Sequence, residues 1–166
     1  MSVRSVRKAR QRNIIRNVIV FVVTFVSVLL FFHFIRFPVV DGDSMLPTYH
    51  HGNRLVMLHT HSVSDGDVAV LWDEDLGDYI VKRVIGVPGD HLQIDGGCLY
   101  RNGVRLYEPY VFEHDWIHLD SGMDVIVPDG CVYVMGDNRN NSADSRVLGT
   151  FDRSDVFGKI LFKIGR

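Results

Sequence analysis

A serine hydroxyl at position 44 lies just beyond a long apolar run, and serine is a nucleophile when a base takes its proton. It stands within residues 42–48 (GDSMLPT), eight residues after Arg36, the cation that closes the run. Eight extended residues span at most about 28 Å, so the hydroxyl is tethered near the end of that run. If the run crosses a membrane, a nucleophile held there suits a substrate that is itself in the membrane.

Lys82 is the candidate base for this serine. It interrupts an apolar run between Ile80 and Val84, which share its face if the run is a strand. Free lysine has a pKa near 10.4, so fewer than about one in a thousand such amines are neutral at pH 7. Burial among apolar groups lowers a lysine pKa and makes a Ser-Lys dyad physically reasonable. The alternative is a lysine that buries only its stem and keeps its ammonium group in water.

Eight histidines raise the alternatives of a Ser-His-Asp triad or a metal site, but their placement favours neither. Some lie in a polar stretch, and others in a segment without helical support for a metal-binding pair: His50, His51, His59 and His61, then His114 and His118. We interpret them as solvated or hydrogen-bonded side chains, and we predict no metal and no cofactor.

The apolar run before Ser44 predicts a transmembrane anchor over residues 18–36. Within residues 18–35 the only polar interruptions are Thr24, Ser27 and His33. At about 1.5 Å per residue, a helix of this length nearly crosses a hydrocarbon core of about 30 Å. The lipid bilayer is therefore an expected partner.

The charges on the two sides of the span predict its orientation. Residues 1–17 carry six basic side chains and no acidic one, whereas Arg36 is the only basic residue between the span and Arg54. Because cytoplasmic flanks are rich in Lys and Arg, residues 1–17 are predicted to be cytoplasmic. Residues 37–166 then form a catalytic domain on the extracytoplasmic face of the plasma membrane. A cleaved secretory signal is the rival interpretation, but no Ala-x-Ala-like site follows the span.

The region after the span is acidic. Seven of the 18 basic residues lie within residues 1–36, so 11 remain against 20 acidic residues. Such a domain binds nucleic acid poorly, and we expect no nucleic-acid partner. Its 130 residues suffice for one domain with its own core. Cys98 and Cys131 can pair in an oxidising compartment or remain packed thiols, and the sequence leaves this open.

Short β-branched runs separated by turns predict a mostly β domain. Strands are predicted at residues 54–58, 67–72, 79–86, 125–127, 131–135 and 159–164. Asn102-Gly103 predicts a type I′ hairpin between residues 99–101 and 104–106. The predicted fold is mostly β, with a single N-terminal transmembrane helix followed by a compact β-rich domain.

Several motifs, in order along the chain, give this domain a family resemblance. The three main ones are residues 43–48 (DSMLPT), 82–90 (KRVIGVPGD) and 135–146 (MGDNRNNSADSR), and residues 102–103 (NG), 108–110 (EPY) and 157–159 (FGK) fit the same pattern. Behind an apolar anchor, they closely resemble bacterial type I signal peptidases, from about Gly42 to Lys159. The resemblance implies a signal-peptidase-like catalytic fold and a serine endopeptidase with a Ser-Lys dyad.

The resemblance also implies a role for each matching residue. Ser44 is similar to the family nucleophile that forms an acyl-enzyme, and Lys82 to the base that activates the serine and later the hydrolytic water. Ser142 matches a serine whose hydroxyl orients the lysine. Asp144 and Arg146 match a carboxylate–guanidinium pair that supports the site.

Gly42 and Met45 are expected near the oxyanion hole and the substrate cleft. Some family members carry a serine two residues before the nucleophile, where this chain has Gly42. The hole must then rest on backbone N–H groups, with the amide of Ser44 as the first candidate. Met45 matches a position near the cleft, and packing beneath the nucleophile turn is the open alternative.

The implied function is removal of N-terminal signal peptides from membrane-bound preproteins, after small residues in an Ala-x-Ala pattern. A peptidase specialised for one pilin or conjugation protein shares these motifs and stays open. Soluble self-cleaving repressors also use Ser-Lys dyads, but they lack such an anchor. An inactive binding module would not need the complete set of site residues.

Overall fold

The computed structural model describes residues 3–111 and 122–165. The chain divides into two compact units, Met1–Ile35 and Arg36–Arg166. The first unit is a single helix, α1 (Val3–Phe34). Its stretch Arg10–Phe34, 25 residues with a mean hydropathy of 2.5, is long and apolar enough to cross a membrane.

Helix α1 ends two residues before the predicted boundary at residue 36. Ile35 and Arg36 are extended instead, and Pro38 follows two residues later. Proline cannot continue a helix, and it disfavours helical backbone in the residue before it. The helix therefore ends two residues before the predicted end of the span, and the bounds of the span and its crossing of a membrane stay predictions.

In the described part of the chain, eleven strands follow α1. In chain order they are β1 (Ile35–Arg36), β2 (Arg54–His59), β3 (Val68–Asp73), β4 (Asp78–Gly86), β5 (His91–Asp95), β6 (Cys98–Arg101), β7 (Val104–Arg105), β8 (Asp124–Ile126), β9 (Cys131–Met135), β10 (Phe151–Asp152) and β11 (Val156–Ile164). A seven-stranded sheet has the order β1-β2-β11-β3-β4-β9-β10, and a four-stranded sheet has the order β7-β6-β5-β8. This architecture confirms the predicted fold class, mostly β after an N-terminal apolar helix.

Strand β4 carries its two adjacent cations on opposite faces of the larger sheet. Lys82 pairs with Ala69 of β3 and Arg83 with Val68, and successive strand residues point to opposite faces. Each face is covered by its own apolar core. One core contains Val63, Ala69, Leu71, Val84, Val132, Val134, Phe151 and Val156, and the other contains Val40, Met45, Leu55, Met57, Val68, Val70 and Ile160. Both side chains therefore enter the interior of the domain, one on each face of the larger sheet.

The smaller sheet has a separate core and confirms the predicted hairpin. Its apolar cluster contains Ile85, Leu92, Ile94, Leu99, Val127, Tyr133 and Met135. Between β6 and β7, Asn102 and Gly103 have φ values of 53° and 76°, the positive pair that a type I′ turn requires. Cys98 and Cys131, whose pairing the sequence left open, are both free thiols.

A single helical turn, α2 (Ser145–Leu148), begins at the end of the last main motif, residues 135–146. Its N-cap is Asp144, whose carboxylate accepts the N–H of Arg146. An aspartate cap satisfies a backbone donor that a helix start leaves without a partner. The turn ends at Gly149, whose N–H donates to the Ser145 carbonyl.

Candidate active site

Ser44 and Lys82 are in direct contact, although 38 residues separate them in the chain. The Lys82 Nζ lies 2.8 Å from the Ser44 Oγ, and Lys82 is only 4% exposed. Burial lowers the pKa of Lys82, the Asp144 carboxylate opposes this, and Arg146 adds to it, so that the pKa is lowered overall. The sequence left open a snorkelling lysine; the structure places the amine inside the domain, against a potential nucleophile.

The segment that carries Ser44 is tied to the loop after β9. The Ser44 carbonyl accepts the Asn138 N–H at 3.0 Å, and the Asn138 side-chain amide donates to the Asp43 carbonyl at 3.1 Å. Four residues after Ser44, the Thr48 hydroxyl donates to Asp137. These bonds fix the nucleophile turn from both of its ends.

Gly136, directly after β9, allows a very close approach of the chain to the site. A Cβ at this position would lie 2.5 Å from the Ser44 carbonyl oxygen and 2.3 Å from the Ser142 Oγ. Real Cβ atoms do not come so close to other atoms, and only glycine fits here without a shift of its neighbours. Gly136 therefore brings the Ser142 loop and the nucleophile turn together.

Asp144 and Arg146 form a buried, bidentate pair beside Gly136. Arg146 Nε and Nη2 each donate to Asp144 at 2.8 Å, and the Gly136 N–H donates to the same carboxylate at 2.9 Å. Burial raises the pKa of Asp144, but the bonds and charge of Arg146 outweigh it, so that the pKa is lowered and the carboxylate stays ionised. The pair is well placed to fix the turn that carries Ser142.

Ser142 lies at the site, packed against Gly136. Its Oγ is buried and forms no hydrogen bond of good geometry with the described residues, although Ser142 helps to lower the pKa of Asp144. The predicted role of Ser142, which is to orient the Lys82 amine, stays a prediction.

Gly42 and Met45 occupy contrasting environments. Gly42 is exposed, has a φ of +82°, and has open space where a side chain would begin. Met45 is 1% exposed and packs in the core beneath the nucleophile turn, with Leu55 and Met57 among its partners. The packing alternative thus describes where Met45 lies, and a role in the substrate cleft stays a prediction.

Arg83 and Asp137, for which the sequence predicted no role, form a second buried ion pair under the nucleophile turn. Arg83 Nε donates to Asp137 Oδ1 at 2.8 Å and Nη2 to Oδ2 at 2.6 Å, while Asp137 also accepts the Thr48 hydroxyl. The sequence did contain a signal for this pair, because the side chains of two successive cations in an apolar strand must point to opposite faces of the sheet. The second cation then needs its own buried partner.

The histidines on the described part of the chain form no metal site, and no cluster of three suitable ligands occurs there. His59 and His61 bond through Nδ1 to the carbonyls of Phe157 and Val156, at 2.6 Å and 2.7 Å. His114 and His118 lie outside the described residues.

The comparisons with known proteins agree on one family. The family model described as "Signal peptidase, peptidase S26" matches residues 12–164. The probable signal peptidase I-1 of Synechocystis sp. is 39% identical over 160 residues, which cover 89% of this chain and 80% of that protein. Signal peptidase I S of Bacillus subtilis is 36% identical over 168 residues, covering 93% and 90%.

A solved structure carries the same fold. The crystal structure of a signal peptidase I from Enterococcus faecalis matches with a TM-score of 0.50 and 28% identity, covering 59% of this chain and 96% of that one. It is the same kind of enzyme as the two curated relatives. With a family match over nearly the whole chain, this protein belongs to the signal peptidase family, peptidase S26.

Proposed function

We propose that this signal peptidase is a membrane-anchored serine endopeptidase in which Ser44 is the nucleophile and Lys82 the general base. The observation that carries the proposal is the 2.8 Å contact between the Ser44 Oγ and the buried Lys82 Nζ. A neutral lysine at that distance can accept the serine proton without any histidine.

The reaction follows in two halves. In acylation, neutral Lys82 takes the Ser44 proton while Oγ bonds to the scissile carbonyl carbon. The resulting ammonium then protonates the departing amine as the peptide bond breaks. In deacylation, Lys82 takes a proton from water, whose oxygen attacks the ester carbon, and the Ser44 oxygen leaves and regains its proton. Lys82 thus serves once as base and once as acid in each half.

The oxyanion would be held by backbone N–H groups. The amide of Ser44 is the first candidate donor. Because residue 42 is glycine, no side-chain hydroxyl is available there as a further donor. The φ of +82° at Gly42 is one that L side chains rarely adopt. A serine could therefore be added there only at the cost of backbone strain.

The anchor explains how enzyme and substrate meet. Residues 18–36 would cross the bilayer, residues 1–17 would stay in the cytoplasm, and residues 37–166 would work on the extracytoplasmic face. Support comes from the apolar stretch Arg10–Phe34 and from the one-sided positive charge before it. A preprotein held in the same membrane by its signal peptide would present its cleavage site at this surface.

Purified full-length chain in detergent is expected to cleave preproteins after a small residue in the Ala-x-Ala pattern. Two unrelated preproteins should be cut, and mass spectrometry should find the new N-terminus directly after the −1 alanine. The matched substrate carries Phe in place of that alanine and should stay uncut. Cleavage of one preprotein alone would indicate a specialised peptidase, and cleavage of neither would contradict the proposed function.

Activity is expected to rise with pH through the pKa of Lys82. Because burial lowers this pKa and only the neutral amine is a base, the midpoint should lie below the value of about 10.4 for free lysine. Single-turnover cleavage of a preprotein, measured from neutral to alkaline pH, gives the midpoint. A midpoint at or above that of free lysine would show that Lys82 is not the titrating base.

A further inference from the structure

Outside the dyad, Glu108 and Arg139 form an ion pair in which both side chains are buried. Arg139 Nη2 lies 2.6 Å from Glu108 Oε1, and the two side chains are only 3% and 6% exposed. Glu108 comes from the segment between β7 and β8 of the smaller sheet, whereas Arg139 lies in the loop after β9. Removing two charges from water is unfavourable. A pair that is buried this deeply is therefore expected to have a structural or functional role.

Through Arg139, this pair reaches the active site. Arg139 Nε donates to the Gly136 carbonyl at 2.9 Å, and the Gly136 N–H donates to Asp144 at 2.9 Å. Gly136 is therefore held from both sides by two separate buried ion pairs. Because Gly136 is packed directly on the Ser44 carbonyl, a shift of Gly136 moves the nucleophile turn.

Tyr110 connects Glu108 to the second buried ion pair. Its hydroxyl donates to Glu108 Oε1 at 3.1 Å, and the guanidinium of Arg83 lies 3.9 Å from the centre of its ring. Arg83 in turn holds Asp137, which accepts the hydroxyl of Thr48. Burial, followed by the negative charge of Glu108, raises the pKa of Tyr110, so that the phenol keeps the proton it donates.

We infer that Glu108 and Tyr110 are positioning residues for the Ser44–Lys82 dyad. Glu108 acts on Gly136 through Arg139, and Tyr110 acts on the far end of the nucleophile turn through Arg83 and Asp137. One short segment thus sets both ends of the turn that carries Ser44. The inference rests on the proposed function, because it assigns these residues to the same acylation step.

The conservative variants Glu108→Gln and Tyr110→Phe test this role. Glu108→Gln removes the charge opposite Arg139, and a displacement of reacting groups by about 1 Å costs about 10²-fold in rate. Tyr110→Phe keeps the ring under Arg83 and loses one hydrogen bond, for which about 3- to 10-fold is expected. In preprotein cleavage, kcat should fall by these factors while KM changes by less than about threefold, since the inference assigns both residues to positioning the dyad and not to binding the substrate.

Labelling by a serine-directed acylating inhibitor separates positioning from a folding defect. The labelled fraction at saturation counts the competent molecules, and the rate constant of labelling reports on each competent site. We expect both variants to label completely but slowly. The matched control is Asp65→Asn, which removes the partner of Arg101, an ion pair at 2.8 Å that does not contact Gly136 or Ser44. It should label at the rate of the unchanged chain.

A normal rate constant for Tyr110→Phe would overturn the inference, even if Glu108→Gln fails to fold and labels only in part. Slow labelling of the Asp65→Asn control would overturn it as well, because any lost ion pair would then have the same effect. Absence of label on Ser44 in the unchanged chain is a different result, since it would overturn the proposed function itself.

Discussion

Lys82→Met and Ser44→Ala are each expected to reduce preprotein cleavage by a factor on the order of 10⁶, as removal of a nucleophile or its base does in serine proteases. Methionine matches the length of the lysine but cannot accept a proton. Because the two groups act as a unit, the double variant should be no less active than either single variant. Single-turnover cleavage with excess enzyme measures rates this low without interference from product release.

Lys159→Met is the matched control for this prediction. Lys159 also lies in a strand of the larger sheet, but its amine pairs with Asp67 at 3.4 Å and its side chain is 32% exposed. This variant should cleave at nearly the normal rate. Substantial cleavage by Lys82→Met, or losses that multiply in the double variant, would contradict the dyad.

The thermal stability of Lys82→Met distinguishes a loss of catalysis from a loss of the folded structure. The folded-state pKa of Lys82 lies below its unfolded value, so the protonated amine is less favourable in the folded chain than in the unfolded chain and disfavours folding. This unfavourable contribution is fully present below the folded pKa and vanishes above the unfolded pKa. Lys82→Met removes it, so we expect its Tm near pH 7 to be no lower than that of the unchanged chain. A much lower Tm would attribute the lost activity to unfolding.

Much of the fold could be predicted because its signals are local. The run at residues 79–86 was predicted as a strand and is β4 (Asp78–Gly86), and the strand at residues 131–135 was predicted with its exact bounds. The strand β5 (His91–Asp95) was missed although His-Leu-Gln-Ile-Asp alternates polar and apolar residues. Alternation over five residues is a weak signal, and the pairing of β5 with β6 and β8 decides it.

The site was harder to predict because its support depends on contacts between distant segments. The Ser44–Lys82 contact involves only two residues. The burial of Lys82 could be predicted because this residue lies in an apolar strand. The pair of Glu108 and Arg139 also joins distant segments, 31 residues apart, but no local pattern at either residue indicates that its side chain is buried. Only the folded chain shows which charges share a buried space.

Gly136→Ala is expected to lower activity by more than about 10²-fold, because the added methyl group forces the site apart. Its Cβ would lie 2.5 Å from the Ser44 carbonyl oxygen and 2.3 Å from the Ser142 Oγ, and the former is backbone that cannot rotate away. The φ of Gly136 is not in the left-handed region, so the expected effect is due to crowding alone. The rate constant of Ser44 acylation, measured per labelled molecule, is the direct measure.

The control is Gly86→Ala, which crowds a different place to a similar degree. There the Cβ would meet Leu92 Cδ1 at 2.8 Å and Val127 Cγ2 at 3.0 Å, both in the core of the smaller sheet. Overpacking typically costs about 1–3 kcal/mol, so Gly86→Ala should lower the Tm yet leave the acylation rate of each folded molecule nearly normal. Gly136→Ala should instead have its larger effect on the acylation rate of each folded molecule and its smaller effect on the Tm. Equal acylation rates in the two variants would mean that the close packing of Gly136 on Ser44 does not set the geometry of the nucleophile.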